Sequence, residues 1–123
     1  MLLLTLLMLG ALPSVPTDTL PGYPGPVRYA DVGDHRIAYY EAGSGEETLL
    51  LVHGLGSNLA FWRETIPALA EHYRVIALDL PGYGLSSKHN VSGSMNDFAL
   101  VVTGLMDALH IDRAHYVGLS MGG

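Results

Sequence analysis

The residues best suited to chemistry are the last six of the chain, which place a serine between two glycines. Gly118, Ser120 and Gly122 form the pattern G-x-S-x-G directly after the apolar run 114–117. In this pattern the chain turns sharply from a strand into a helix, and the serine hydroxyl stands exposed at the turn. Side chains at the flanking positions would crowd such a turn, which explains the glycines. The pattern predicts a nucleophilic serine at Ser120.

A second loop rich in glycine follows the apolar run 48–52. Attack of a serine on an acyl carbon creates a negatively charged oxygen that needs two N–H donors. One donor is expected to be the amide of Met121, the residue after the nucleophile, and the other comes from the loop after an earlier strand. Leu55 is our candidate for the second donor, because Gly54 and Gly56 let the backbone approach a ligand closely. The two amides would form an oxyanion hole.

The elements that must position these residues alternate between strands and helices. Continuous apolar runs at 48–52, 74–78 and 114–117 are typical of parallel strands that are covered on both faces. Segments 60–72 and 94–109 carry apolar residues at helical spacing. The order predicts an α/β fold with a mostly parallel sheet and helices on both faces. Because both loops follow strand ends, they should meet at the ligand-binding edge of the sheet.

An antiparallel hairpin is expected at the start of this sheet. Segments 27–32 and 35–41 are rich in strand-forming residues and are separated by the turn Gly33-Asp34. We expect the hairpin to form an edge of the sheet.

Two local sequence features predict where the helices begin. Pro67 cannot lie inside a helix, so the regular part of the first helix should begin near Thr65 or Ile66. Ser94 and Asp97 have the spacing of a capping box, which predicts the start of the second helix. The residues of the second helix that we expect in the core are Met95, Phe98, Val102, Leu105, Met106 and Leu109.

Composition excludes several classes of function. The chain has 123 residues, enough for one small domain, and a formal charge of −6 without any cluster of Lys and Arg. This charge argues against nucleic acid and anionic membranes as partners. The chain has no cysteine and no histidine–carboxylate spacing typical of a metal site, so we expect no metal and no cofactor. Oligomeric state is left open.

The first 26 residues are set apart from the folded domain at 27–123. Segment 1–12 is almost entirely Leu and Met, too short to span a bilayer and similar to the apolar core of a secretory signal peptide. Five prolines between positions 13 and 26 then form a stiff spacer. We therefore expect export, to the periplasm or the medium, with the cytoplasm as the alternative if segment 1–12 is no signal.

Taken together, residues 27–123 resemble the N-terminal half of the α/β-hydrolase superfamily, of the lipase/esterase and C–C-hydrolase-like kind. The resemblance is carried by VHGLG at 52–56, Trp62, VIALDLPGYGLS at 75–86 and GLSMGG at 118–123. It implies a truncated α/β-hydrolase fold and a serine hydrolase that cleaves an ester or related acyl bond of a small molecule.

The resemblance also assigns individual residues. It implies that Ser120 is the nucleophile, that Leu55 and Met121 donate to the oxyanion, and that His53 is structural. In this fold the acid and the histidine of the triad follow the serine, so both are expected beyond Gly123. We assign no triad role to the six histidines or the acids of this chain, and we expect the 123-residue chain alone to be inactive.

Two alternatives remain at this point. The chain can be an inactive fragment or a non-catalytic relative that only binds ligands. A dinucleotide-binding dehydrogenase would use Gly54, Gly56 and the later acid Asp79. However, Leu59 occupies the position of its third glycine, and such a protein leaves the motif at Ser120 unexplained.

Overall fold

The computed structural model describes residues 25–123, and the expected signal segment and most of the spacer lie outside the described residues. Five strands form one sheet in the order β1-β2-β4-β3-β5. Strand β3 is parallel to both β4 and β5, whereas β2 is antiparallel to β1 and β4. The strands are β1 (Arg28–Val32), β2 (His35–Ala42), β3 (Thr48–Val52), β4 (Arg74–Leu78) and β5 (His115–Gly118). The predicted α/β fold, with parallel strands and an N-terminal hairpin, is confirmed.

The hairpin of β1 and β2 lies at one edge of the sheet, as expected. Val32 pairs with His35 across a two-residue turn. Gly33 in that turn has a φ of 56°, which glycine adopts without strain. Residues 36–38 of β2 lie beyond the end of β4. They form hydrogen bonds with the loop at 86–87 instead, and one of these runs from the Ser87 amide to the Arg36 carbonyl.

The first crossover contains only short helical turns, whereas the second contains a long continuous helix. Segment 60–72, which has helical spacing and is predicted to be regular only from about Thr65 or Ile66, forms a short 3-10 helix at Leu59–Trp62 and a single turn, α1, at Ile66–Leu69. The start near Thr65 or Ile66 is confirmed, because Pro67 has no N–H and is tolerated only in a first turn. The second helix, α2, spans Met95–Ala108. Its N-cap is the predicted Ser94, whose hydroxyl accepts from the Asp97 amide at 3.1 Å. The second bond of the predicted capping box does not form directly, because the Ser94 amide donates to the Ser92 hydroxyl at 3.1 Å and that hydroxyl donates to the Asp97 carboxylate.

Apolar side chains fill a layer on each face of the sheet. On one face the strands pack against α2, and on the other they pack against the Leu59–Leu69 crossover. Every residue of β3 is buried, because its alternate side chains enter the two layers. This burial on both faces explains why the sequence of the strand is an almost unbroken apolar run.

The expectation that Met95 lies in the core is wrong. Phe98, Val102 and Leu105 are buried as expected, but Met95 is 54% exposed. Helical side chains lean toward the N-terminus and cover the preceding turn. Met95 is the first residue of α2, so its side chain has no preceding helical turn to pack on and lines the rim of an open groove.

Strand β5 forms the other edge of the sheet. Within residues 25–123 it pairs only with β3, and Tyr116 and Val117 are 50% and 39% exposed. An apolar strand edge of this kind can pair with another chain. Among the same residues, no helix has the length and apolar character needed to cross a bilayer.

We predict that the 123-residue chain self-associates through β5 and that Val117→Lys weakens the association, because a charged side chain opposes edge-to-edge pairing. Size-exclusion chromatography with light scattering over a concentration series measures the effect. Leu100→Lys is the matched control, since Leu100 is also exposed but lies on α2. An equal effect of both substitutions would show that general hydrophobicity, and not the strand edge, drives association.

Candidate active site

Ser120 lies at the sharp turn between β5 and the next helical turn. Its φ is 54°, in the left-handed region that residues other than glycine rarely adopt. Strand β5 ends at Gly118, and the bond from the Gly122 amide to the Leu119 carbonyl, 2.9 Å, already closes a helical turn. Ser120 is exposed to solvent. Strained backbone of this kind is characteristic of functional sites.

The two glycines that flank the serine are required by close backbone contacts. A Cβ atom on Gly118 would lie 1.9 Å from the carbonyl oxygen of Gly122. A Cβ atom on Gly122 would lie 2.5 Å from the carbonyl oxygen of His53 and 2.6 Å from that of Val52. No real Cβ atom approaches backbone so closely, so neither position accepts a side chain without displacement of the backbone. The turn therefore packs directly on the end of β3.

The glycine loop after β3 lies against this turn. Val52 pairs with Gly118, and the Leu119 amide donates to the Val52 carbonyl at 3.0 Å. A Cβ atom on Gly54 would lie 3.2 Å from the Cβ atom of Ser120, so these two residues are in contact distance. The fold thus brings Ser120 next to the loop that carries Leu55.

The proposed donors differ in their surroundings. Leu55 directly follows Gly54 and is 75% exposed, whereas Met121 is half-buried against the core. Gly56 has a φ of 69°, and a Cβ atom there would contact nothing within 4 Å. This glycine is therefore needed for its backbone conformation and not for space. The roles of Ser120, Leu55 and Met121 stay predictions.

His53 is fully buried beneath this loop. Its Nδ1 atom lies 2.9 Å from the Gly54 carbonyl oxygen, and its Nε2 atom accepts a hydrogen bond from the Leu80 amide at 3.1 Å. The ring of Tyr83 packs edge-on against the imidazole at 5.1 Å. Because both ring nitrogens are engaged with backbone groups, His53 has no free nitrogen for proton transfer to Ser120.

The other five histidines lie away from the serine. His115 begins β5 and pairs with Glu47 at 2.7 Å, at the amino end of the strand that carries Ser120 at its carboxyl end. His35 and His89 pair near the tip of the hairpin. The remaining two, His72 and His110, precede β4 and follow α2. Within residues 25–123 no cluster of His, Cys, Asp or Glu has a geometry that could hold a metal ion.

Sequence patterns offered Asp79 only as the acid of a dinucleotide-binding site, and its role as a buried carboxylate that joins two loops was not predicted. Asp79 is 1% exposed, its Oδ1 accepts from the Leu59 amide at 2.6 Å, and its Oδ2 accepts from the Leu85 amide at 2.7 Å. Gly84 packs so closely that a Cβ atom there would lie 2.0 Å from Oδ2. Asp79 therefore joins the loop after β4 to the crossover after β3. With both oxygens engaged, it is not open to the ribose of a dinucleotide.

Burial raises the pKa of Asp79 above its ordinary value of 3.8, although the bonds from the Leu85 and Leu59 amides act in the opposite direction. Ser86 adds a further connection in this region. Its buried hydroxyl donates to the Asp79 carbonyl at 2.7 Å and accepts from the Ala38 amide at 2.8 Å. Ser86 is thus a structural residue of the loop.

We predict that Asp79→Asn lowers the free energy of unfolding by about 1–3 kcal/mol, because the amide NH₂ faces a backbone N–H that loses its acceptor. Because the pKa of Asp79 is raised in the folded state, the folded chain keeps the Asp79 proton at pH values at which the unfolded chain has lost it. The contribution of Asp79 to the free energy of unfolding therefore falls as the pH rises. The loss of unfolding free energy in the variant should therefore be largest below about pH 3.8 and should become smaller as the pH rises above that value. Urea unfolding at several pH values measures it, and a pH-independent deficit would contradict the prediction.

Gly118→Ala is predicted to lower the free energy of unfolding by at least about 2 kcal/mol, because the added methyl group overlaps a backbone carbonyl that cannot move aside. Gly25→Ala is the matched control, since a Cβ atom at Gly25 would contact nothing within 4 Å. Urea unfolding followed by circular dichroism compares the two variants. Equal stability of the two would show that the turn at Ser120 is loosely packed.

Comparisons with known proteins agree with this fold. Residues 47–123 match the protein family described as alpha/beta hydrolase fold. The chain is 43% identical over 96 residues to the dihydrolipoyllysine-residue acetyltransferase component of the acetoin cleaving system of Cupriavidus necator, covering 78% of this chain and 26% of that protein. It is 44% identical over 93 residues to a 2-hydroxy-6-oxononadienedioate/2-hydroxy-6-oxononatrienedioate hydrolase of Paraburkholderia phymatum, covering 72% of this chain and 32% of the relative.

A solved structure supports the same relation. The chain superimposes on a bacterial membrane phospholipase A with a TM-score of 0.75 and 40% identity, covering 78% of this chain and 32% of that one. The chain thus spans about a quarter to a third of the length of the proteins it matches. The matched family, the parallel strands and the strand-to-helix turn with its flanking glycines lead to one conclusion: the chain belongs to the α/β-hydrolase family.

Proposed function

We propose that this chain supplies the nucleophile and the oxyanion hole of a serine hydrolase that cleaves an ester or related acyl bond of a small molecule. One observation carries the proposal: Ser120 has a φ of 54° at the end of β5, in contact distance of Gly54 in the loop after β3. A serine held in this way presents its hydroxyl beside backbone amides from two loops.

The proposed reaction proceeds by acyl transfer. The Ser120 hydroxyl attacks the acyl carbon while a general base removes its proton, and the carbonyl oxygen becomes negatively charged. The Leu55 and Met121 amides donate hydrogen bonds to that oxygen. Collapse of the tetrahedral intermediate expels the alcohol, which takes the proton from the general base, and leaves an acyl group on Ser120. Water, deprotonated by the same base, then attacks the acyl carbon, and the acid and the free Ser120 hydroxyl are released. We assign the general base to none of the histidines of this chain.

The names of three relatives support chemistry at a carbonyl carbon. They are a hydrolase of oxo-dioates, a phospholipase A and an acetyltransferase component, whereas two other matched structures are named as an epoxide hydrolase and a haloalkane dehalogenase. All three share this α/β-hydrolase segment, although they differ in substrate. The proposal therefore names a small acyl substrate as a class.

The proposal is tested in a hybrid hydrolase, in which this chain replaces the segment that it matches in the Paraburkholderia phymatum relative. We predict that the hybrid hydrolyses p-nitrophenyl acetate and that Ser120→Ala lowers kcat by at least about 10⁴-fold, because the nucleophile is removed. A fluorophosphonate probe should label the hybrid at Ser120, as read by mass spectrometry of its peptides.

Ser44→Ala is the matched control, because Ser44 is exposed in the loop before β3, at the opposite end of that strand. It should leave kcat and labelling unchanged. Full activity of the Ser120→Ala hybrid, or labelling at another serine, would refute the proposal and favour a segment that only binds ligands.

A further inference from the structure

We infer that His53 is a positioning residue that aims the Leu55 amide at the reacting oxygen, through a hydrogen bond to the other end of the same peptide group. The inference rests on the proposed function. It gives a specific task to a histidine that has no free nitrogen for proton transfer.

The Gly54 carbonyl oxygen receives two hydrogen bonds. His53 Nδ1–H donates to it at 2.9 Å, and the Ser57 amide donates to it at 3.2 Å. This carbonyl belongs to the peptide group whose N–H is that of Leu55. Within residues 25–123 no peptide bond is cis, so the C=O and N–H of this rigid plane point in opposite directions. A fixed Gly54 carbonyl therefore fixes the direction of the Leu55 N–H.

The loop needs such a constraint from outside, because its own residues supply little stiffness. Gly54 and Gly56 lie on either side of Leu55, and glycine has the widest conformational freedom of all residues. The Leu55 side chain is largely exposed and cannot hold the peptide plane by packing. An oxyanion donor contributes to catalysis only when it is oriented before the reaction.

The surroundings of His53 select the tautomer that can perform this task. The Leu80 amide donates to Nε2, so that nitrogen carries the lone pair and the proton resides on Nδ1. The Gly54 carbonyl can only accept, which requires the same tautomer. The ring is fully buried and packs against Tyr83, so it has one available orientation.

Two substitutions separate the two hydrogen bonds of the imidazole. The side-chain NH₂ of His53→Asn can occupy the place of Nδ1–H, and the side-chain oxygen of His53→Gln can occupy the place of Nε2. In the hybrid hydrolase we expect His53→Gln to lower kcat by about 10–100-fold more than His53→Asn, a smaller loss than the about 10²–10³-fold for removal of one oxyanion donor, because the Leu55 amide is misdirected and not removed. KM should change little, because the donor acts in the transition state.

The controls distinguish this role from general support of the fold. His72→Asn and His72→Gln, at an exposed histidine, should leave kcat unchanged. Equal kcat values for the two His53 variants, measured well below both melting temperatures, or a lower kcat for His53→Asn, would overturn the inference. If Ser120→Ala abolishes activity but the two His53 variants have equal kcat values, this inference alone is refuted. If the Ser120→Ala hybrid stays active, the proposed function is refuted.

A spectroscopic measurement tests the same inference without substitutions at His53. In the hybrid labelled with ¹⁵N-histidine and carbonyl-¹³C-glycine, the His53 ring should show a protonated Nδ1 and an unprotonated Nε2. A hydrogen bond across Nδ1 should appear as coupling to the Gly54 carbonyl carbon. Protonation of Nε2 instead would overturn the inference, whatever the behaviour of the variants.

Discussion

The contact between the backbone that leaves β5 and the backbone that leaves β3 is the constraint on which the site depends. Neighbouring strands normally keep their backbones about 4.8 Å apart. Here the turn after β5 folds over the end of β3, so that Gly122 lies on the carbonyl groups of Val52 and His53. Only residues without a Cβ atom fit at positions 118 and 122. The same contact holds Ser120 next to Gly54 and gives its backbone the strained φ angle.

Buried hydrogen bonds, more than apolar packing, shape the loops around that contact. Asp79 accepts amide bonds from two separate loops, and His53 connects the Gly54 carbonyl to the Leu80 amide. Asp79 and Leu80 are adjacent, so the two networks meet in one segment of backbone. Buried polar groups are costly unless they are satisfied, which makes such a network specific for one loop arrangement. The cost is visible in the pKa of Asp79, which burial raises despite two amide donors.

The apolar layers have a different task, which is to hold the strands at the correct height for these loops. Because β3 is buried on both faces and pairs in register with β4 and β5, its carboxyl end reaches the same edge of the sheet as theirs. The loops that carry His53, Asp79 and Ser120 all start at this edge. A shift in register would separate them, since each loop begins within two residues of its strand end.

The amino-acid sequence alone determined the parallel strands, the hairpin, the cap of α2 and the turn at Ser120, because these follow from local rules of periodicity, capping and sterics. It also gave the family to which the chain belongs. Only the tertiary structure decided that Met95 is exposed, that the first crossover is broken into two short turns, and which groups His53 and Asp79 bind. These outcomes depend on partners up to 27 residues away, as in the bond between His53 and Leu80. A local pattern specifies which face a residue presents, but the partner of a buried polar atom depends on how distant segments pack.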